Sequence, residues 1–258
     1  MEDKICNELP TDKKEIVFLP YKASMWDSLE GIFQAAKEDE TCEAFVIPVP
    51  YFDKNPDGSL GQIHEEGGDY PDDVPVTSWR TYDIQARRPD VIYIHNPYDE
   101  YNHVTSVHPA FYAQELRKHT DMLVYVPYFT AINEKTAKHF CIVPGVLYAH
   151  RVIVQSESVR KAYLEEFKQF ERTNKCKNAF GRAEEKFMAL GSPKHDQVLK
   201  TGGKDFKIPE EWKQLITDRD GTRKKVILYN TTVDAMLKQS EKMLDKIRHT
   251  LAVFEQNR

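Results

Sequence analysis

The segment YIHNPYDEYNHVTSVHP, from Tyr93 to Pro109, concentrates side chains that can take part in acid–base chemistry. It holds three histidines, two acids, two asparagines and three tyrosines, and it begins at the end of an apolar run. We predict that His95 is a general base, because an imidazole exchanges its proton near neutral pH. Asp99 is predicted to orient that ring as its carboxylate partner. The competing interpretation is a polar loop whose histidines are only surface hydrogen-bond donors.

The same proline–tyrosine dipeptide ends four predicted strands. The dipeptides are Pro20-Tyr21, Pro50-Tyr51, Pro97-Tyr98 and Pro127-Tyr128. Proline stops a strand because it has no N–H for the sheet ladder, and ligands of open parallel sheets bind beyond the carboxyl ends of the strands. The tyrosines therefore predict an aromatic rim that suits sugars, polyols and nucleotide bases; the alternative is that they only cap the core. The predicted substrate-binding residues are Tyr21, Asn96, Tyr98, His108 and Tyr128.

Short apolar strands alternate with helical segments along most of the chain. The predicted strands of its first part are residues 15–21, 42–52, 90–95, 122–129 and 151–155. This alternation is typical of parallel βαβ units, and strands that are apolar on both faces indicate helices on both sides of the sheet. The sequence thus predicts an α/β fold with a Rossmann-like parallel sheet. The polar segment 53–75 is predicted to be a loop with a short hairpin at Pro56-Asp57-Gly58.

Composition and motif content argue against several classes of function. The formal net charge is -5 and the pI is about 6.0, whereas nucleic-acid-binding domains are usually basic. The chain lacks GxGxxG, GxxxxGK[ST], GxSxG and HExxH motifs, which argues against dehydrogenases, kinases, hydrolases and metalloproteases. The four cysteines are far apart and without zinc-ligand spacing (Cys6, Cys42, Cys141 and Cys176). We therefore expect reduced thiols, no metal, no cofactor and no nucleic-acid partner.

The N-terminal sequence MEDKICNELPTDKKE is polar and acidic, which does not fit a secretory signal peptide. No apolar run in the sequence approaches the ~20 residues that span a bilayer. We therefore expect a cytoplasmic protein. If it works on membranes, it would do so peripherally, at the inner face.

Several segments resemble the CDP-glycerol glycerophosphotransferase family, the bacterial enzymes that build teichoic-acid-like polymers. They are IVFLPYKASMWDSLEGIFQAA (16–36), VIVQSESVRKAYLEEF (152–167), FMALGSPKHDQVL (187–199) and KKVILYNTTV (224–233). The resemblance implies an architecture of the GT-B type, with two Rossmann-like domains. The first domain would hold the acceptor and the second the cytidine nucleotide.

The resemblance also implies a domain organisation and a reaction. Residues 1–13 would be a flexible N-terminus, 14–206 the acceptor-side domain, and 207–258 a linker with the first strand and helix of an incomplete second domain. The activity would be transfer of glycerol phosphate from CDP-glycerol, or a related nucleotide-activated polyol, to a cell-envelope polymer or lipid-linked glycan. The family's tryptophan–histidine–glycine motif is absent from the matching strand MLVYVPYFT, so His95 is a substitute candidate for the base.

Two alternatives remain open on the sequence. One is a nucleotide-sugar glycosyltransferase or epimerase of the GT-B type, and the other is a non-catalytic module that binds a polyol phosphate or glycan. The basic segments 172–186 and 200–207 suit an anionic lipid-linked acceptor or a membrane surface. They suit a solvated protein face equally well.

Overall fold

The computed structural model describes residues 13–131, 138–200, 208–231 and 240–256. The chain divides into two compact units, Met1–Gly202 and Gly203–Arg258. The predicted flexible N-terminus lies outside the described residues apart from Lys13, and the basic segment 200–207 lies outside them apart from Lys200.

Six parallel strands form the central sheet of the first unit. The strands in the described residues are β1 Lys14–Leu19, β2 Cys42–Val46, β3 Tyr51–Lys54, β4 Leu60–His64, β5 Val91–Ile94, β6 Thr105–Val107, β7 Met122–Tyr125, β8 Arg151–Val154 and β9 Phe187–Ala189. The order in the central sheet is β2-β1-β5-β7-β8-β9, and every neighbouring pair is parallel. The chain moves outward from β1 to β2 and later returns to β5 on the other side, so the strand order reverses between β1 and β5.

The helices are mostly short. They are α1 Glu30–Glu38, α2 Ile84–Arg87, α3 Ala113–Leu116, α4 Lys138–Cys141, α5 Pro144–Tyr148, α6 Glu157–Asn174, α7 Ala183–Lys186 and α8 Pro193–Lys200, with α9 Glu210–Ile216 and α10 Ser240–Gln256 in the second unit. Short 3-10 helices span Ala23–Ser28, Asp99–Tyr101, Pro109–Phe111 and Arg117–His119. The longest helix, α6, begins at Ser156, whose Oγ accepts the Val159 N–H as an N-cap.

The core has two layers because side chains alternate across each strand. In β1, Val17 and Leu19 belong to one apolar cluster, which α5 and α6 also line. Phe18 belongs to the other cluster, together with residues of α1. The predicted α/β fold is therefore confirmed, with a Rossmann-like parallel sheet and helices on both faces.

A second, antiparallel sheet with the order β4-β3-β6 stands beyond the carboxyl ends of the central strands. β3 follows β2 in the chain, and β6 follows β5. The β3–β4 hairpin forms where the sequence predicted a short turn, with Gly58 in the left-handed region at φ 83°. Within the segment predicted as loop, Leu60–His64 forms the second strand of this hairpin, and residues 65–75 that follow it have no helix or strand, as predicted.

The second unit contains the predicted C-terminal helix as α10 but not the predicted strand. The expected strand at 224–230 has no regular secondary structure, and Val226, Ile227 and Leu228 are 60%, 65% and 89% exposed. A strand needs a neighbouring chain for its N–H and C=O groups. In the described part of this unit, the one ladder contact is an isolated bridge between Thr217 and Arg223. Within the described ranges, each helix of the chain falls short of the length or hydrophobicity that crossing a bilayer requires.

Candidate functional site

Polar and aromatic side chains meet beyond the carboxyl ends of β1 and β5, where the strand order reverses. β1 ends at Leu19 and β5 at Ile94, so Tyr21 and His95 both emerge at this point. In open α/β sheets this reversal leaves a crevice in which ligands bind. The backbone here is tightly packed, because a Cβ on Gly145 would lie 2.7 Å from the Pro97 Cα.

The tyrosines of the four proline–tyrosine dipeptides lie together here, although Tyr51 begins β3 and does not follow a strand end. We call Tyr21, Tyr51, Tyr98 and Tyr128 the tyrosine cluster. The rings of Tyr21 and Tyr51 meet edge to face with centroids 5.0 Å apart. Tyr128 lies 6.1 Å from the His95 ring, and His95 in turn contacts the backbone of Tyr21. Two members are buried and two, Tyr98 and Tyr128, are partly exposed.

The hydroxyl groups of this cluster are held in their neutral form. Burial raises the pKa of Tyr98, and the neighbouring Tyr128 hydroxyl adds to the rise. Burial likewise raises the pKa of Tyr21, although the hydrogen bond between its hydroxyl and Thr105 acts in the opposite direction. Protonated phenols can donate as well as accept hydrogen bonds, which suits a ligand rich in hydroxyl groups.

His95, the predicted base, is completely buried. Its Nε2 accepts the backbone N–H of Tyr21 at 2.6 Å, so the neutral ring carries its proton on Nδ1. Nδ1 donates to Ser28 Oγ at 2.8 Å, and that hydroxyl donates to the Met25 carbonyl at 2.8 Å. Burial lowers the pKa of His95 to about 3. Both ring nitrogens are therefore used inside the protein, and the ring ties the end of β1 to the end of β5.

Asp99, the predicted partner of His95, faces a different element. Its Oδ2 accepts the backbone N–H of Ala113 at the start of α3, at 2.8 Å. The residue is 3% exposed, and burial raises the pKa of its carboxyl group to about 8. Its backbone is left-handed, with φ 48°. No hydrogen bond joins Asp99 to His95 among the described contacts, so the structure does not bring the predicted pair together.

Asn96 and His108 also have local structural partners. Asn96 Oδ1 accepts the backbone N–H of Tyr98 at 3.2 Å, which closes a turn after β5. His108 lies outside the tyrosine cluster, with its ring 5.4 Å from Trp79 and 6.1 Å from Phe111. Its Nδ1 accepts a backbone N–H at the start of a 3-10 helix. The structure thus places Asn96 beside the cluster and His108 in a separate aromatic group.

Four charged or titratable residues that the sequence analysis missed border the tyrosine cluster. We call Lys22, Asp53, His64 and Glu66 the hairpin cluster, because three of them lie on or just after the β3–β4 hairpin. The carboxylate of Glu66 accepts the Tyr51 hydroxyl at 2.7 Å and the Ala23 N–H at 2.8 Å. Lys22 Nζ lies 4.7 Å from the centre of the Tyr51 ring and 5.4 Å from that of Tyr21.

His64 and Asp53 form the hydrogen-bonded histidine–carboxylate pair of this site. Their Nε2 and Oδ2 atoms are 2.7 Å apart, and the side chain of His64 remains 31% exposed. The His64 ring stacks on Tyr51 at 4.9 Å. Tyr51 and His64 are direct cross-strand partners in the hairpin. Two sequence signals could have predicted this arrangement. One is the Asp57-Gly58 turn, and the other is the two-residue spacing that places Tyr51 and Asp53 on the same face of a strand.

A small, mainly apolar pocket lies next to the tyrosine cluster, beyond the ends of β7 and β8. Pro127 and Phe129, the neighbours of Tyr128 in sequence, line it together with Gln155. The Gln155 side chain is fixed by two hydrogen bonds to the backbone of Ala131, at 2.7 and 3.0 Å. The carboxyl edge of the sheet therefore offers a polar region around β1 and β5 and an apolar one around β7 and β8.

Comparison of the sequence with models of protein families and with curated proteins found no match in either. The assignment of a function therefore rests on the residues and their geometry. In the described residues, no three His, Cys, Asp or Glu side chains are grouped so as to hold a metal ion.

Proposed function

We propose that this chain binds a polyol phosphate at the tyrosine cluster, as the acceptor side of a glycerophosphotransferase-like protein. The observation that carries the proposal is the convergence of four tyrosines and Lys22 beyond the reversal between β1 and β5. Lys22 supplies a cation for a phosphate group, and the phenol hydroxyls supply donors and acceptors for a polyol. The tyrosine rings offer apolar surface for the C–H groups of such a ligand.

In the proposed reaction, the donor is CDP-glycerol or a related nucleotide-activated polyol. An acceptor hydroxyl oxygen bonds to the β-phosphorus, and the bond from that phosphorus to the bridging oxygen breaks. CMP leaves with the bonding electron pair, and the hydroxyl proton passes to a base. The acceptor would be a cell-envelope polymer or a lipid-linked glycan, and we place the reaction in the cytoplasm at the inner face of the membrane.

A second candidate function is a binding module for a polyol phosphate or glycan that performs no chemistry. The environment of His95 favours it, because both nitrogens of the predicted base are already hydrogen-bonded inside the protein. A residue in that state holds the strand ends together and has no free nitrogen for a substrate proton.

Calorimetry of the full chain with glycerol phosphate, CDP and CDP-glycerol tests the proposal. We expect glycerol phosphate to bind without CDP, and replacement of Tyr98 by Phe to weaken that binding. Failure of glycerol phosphate to bind, or tight binding of CDP alone, would contradict it. Release of CMP from CDP-glycerol in the presence of an acceptor supports the transferase, whereas saturable binding without release supports the binding module.

A further inference from the structure

His64 has the features of a histidine that is positioned for a ligand. Its Nε2 is 2.7 Å from the Asp53 carboxylate, which has no proton to give when ionised. The Nε2 of a neutral His64 therefore carries the ring proton and donates a hydrogen bond to the Asp53 carboxylate. The tautomer that results leaves the Nδ1 lone pair as a hydrogen-bond acceptor. The described residues show no hydrogen bond to this Nδ1, and the side chain is partly exposed.

A cation and this histidine share the same tyrosine ring. Lys22 Nζ and the His64 ring both contact the Tyr51 ring, at 4.7 and 4.9 Å from its centre. An ammonium group binds a phosphate, whereas a neutral imidazole nitrogen accepts a hydrogen bond from a hydroxyl. The two groups around Tyr51 therefore match a small ligand that carries a phosphate and a free hydroxyl in the same molecule.

We propose that His64, oriented by Asp53, accepts a hydrogen bond from a ligand hydroxyl and makes the site selective for a polyol phosphate over a simple phosphate ester. This inference rests on the proposed binding function and adds its determinant of specificity. Asp53 acts as a positioning residue, because it fixes the tautomer and the orientation of the ring without reaching the ligand.

The test compares the affinities of glycerol phosphate and ethyl phosphate, which share a phosphate monoester but differ in free hydroxyls. The wild-type chain should prefer glycerol phosphate. His64→Phe keeps an aromatic ring on Tyr51 but removes both nitrogens. We expect it to weaken glycerol phosphate binding about five- to tenfold, the effect of one hydrogen bond, and to leave ethyl phosphate binding unchanged. Asp53→Ala should reduce the same selectivity by a smaller factor.

His119 offers a matched control, because its Nε2 also contacts a carboxylate, that of Glu115 at 3.2 Å. It precedes β7 and so lies at the amino edge of the sheet, away from the proposed site. His119→Phe should bind both ligands as the wild type does. Thermal melting checks that each variant is folded. If His64→Phe does not fold, the selectivity of Asp53→Ala is the test of the proposal.

The outcomes separate the two proposals. If the wild type binds neither ligand, the proposed function fails and the inference fails with it. If the wild type binds glycerol phosphate but His64→Phe loses no selectivity, or loses affinity equally for both ligands, the inference alone is overturned. If Asp53→Ala replaces His64→Phe in the test, an unchanged selectivity in Asp53→Ala likewise overturns the inference alone. A selective loss for glycerol phosphate supports both.

Discussion

Two histidines near the same tyrosines have opposite environments. His95 is completely buried at the end of β5, and each of its nitrogens has a partner inside the protein. His64 lies on a hairpin, is partly exposed, and holds its one described hydrogen bond with Asp53. The comparison shows that a histidine surrounded by reactive residue types in the sequence is not thereby available to a substrate. An imidazole can exchange a proton with a ligand only if one nitrogen is free and reachable.

The same contrast separates the two carboxyl groups. Asp99 is buried against the start of α3, and burial raises its pKa to about 8. Asp53 is about half exposed beside His64. The buried pair of residues should therefore affect the stability of the fold and its dependence on pH. The exposed pair should affect binding.

Replacing His95 with Ala should lower the free energy of unfolding by about 4 kcal/mol, because it opens a cavity and leaves the buried Tyr21 N–H without its acceptor. Urea denaturation at pH 7 measures the change. His64→Ala is the matched variant on the exposed side and should change the stability by less than about 1 kcal/mol. Equal losses of stability in the two variants would contradict the distinction between a structural His95 and an exposed His64.

Asp99→Asn should stabilise the fold at pH 8 by about 3 kcal/mol, because the amide still accepts the Ala113 N–H without a charge to bury. The pKa of Asp99 rises from 3.8 to about 8 on folding, so the native state keeps a proton that the unfolded chain has lost. The stability of the wild type that depends on this group is full below pH 3.8 and is lost as the pH rises towards 8. The gain in the variant should thus disappear near pH 4 in a series of urea denaturations.

His95 should make the stability of the fold depend on pH in the opposite direction. Its pKa falls from 6.5 to about 3 on folding, so below pH 6.5 the unfolded chain takes up a proton that the native state refuses. Stability is therefore lost as the pH falls from 6.5 towards 3. In the wild type the Asp99 carboxyl opposes this loss over the same range. We expect Asp99→Asn to expose it as a decrease of about 2 kcal/mol between pH 6.5 and 4.5.

A double variant that adds His95→Leu to Asp99→Asn provides the control for this measurement. In this double variant the free energy of unfolding should change little with pH, and it should be lower than that of Asp99→Asn alone near pH 7. If the slope persists, another group is responsible for it, and His95 is not the neutral residue that its contacts indicate.

The smallest expected effect belongs to Lys22. Lys22 Nζ lies over the rings of Tyr21 and Tyr51, and Lys22→Met keeps a side chain of similar length there but removes the cation. Glycerol phosphate should bind about fivefold more weakly, a loss of about 1 kcal/mol, and stability should hardly change. Lys118→Met removes a lysine that pairs with Glu115 at the amino edge of the sheet, and calorimetry should show no effect on binding. If the wild type and Lys22→Met bind glycerol phosphate with equal affinity, the phosphate group does not bind at Lys22.

Much of the central sheet was predictable because its signals are local. An apolar run such as 15–21 favours a buried strand, and a proline ends its ladder. The same reasoning failed at 224–230, whose residues have the same apolar character. That run forms no strand because a strand also needs a neighbour, and periodicity contains no information about neighbours.

The site was only partly predictable for a related reason. The sequence predicted that the tyrosines would meet, because Tyr21, Tyr98 and Tyr128 each follow a parallel strand and all parallel strands end at the same edge. It led to His95 and Asp99 as a pair because an imidazole and a carboxylate lie in the same polar segment after a strand, but their side chains turn to different partners. The segment that holds His64 looked like a loop, because its Gly, Pro and Asp content conceals the second strand of the hairpin.

The sequence by itself determined the alternation of strands and helices, the burial of both faces of the sheet and the arrival of tyrosines at its carboxyl edge. These follow from residue type and local period. The tertiary structure alone decided which histidine is enclosed and which is exposed. The His95 ring meets a backbone N–H that is 74 residues away in the chain, and His64 meets Asp53 through the register of a hairpin. Such contacts depend on where distant segments pack, and a residue's own neighbours in sequence cannot specify that.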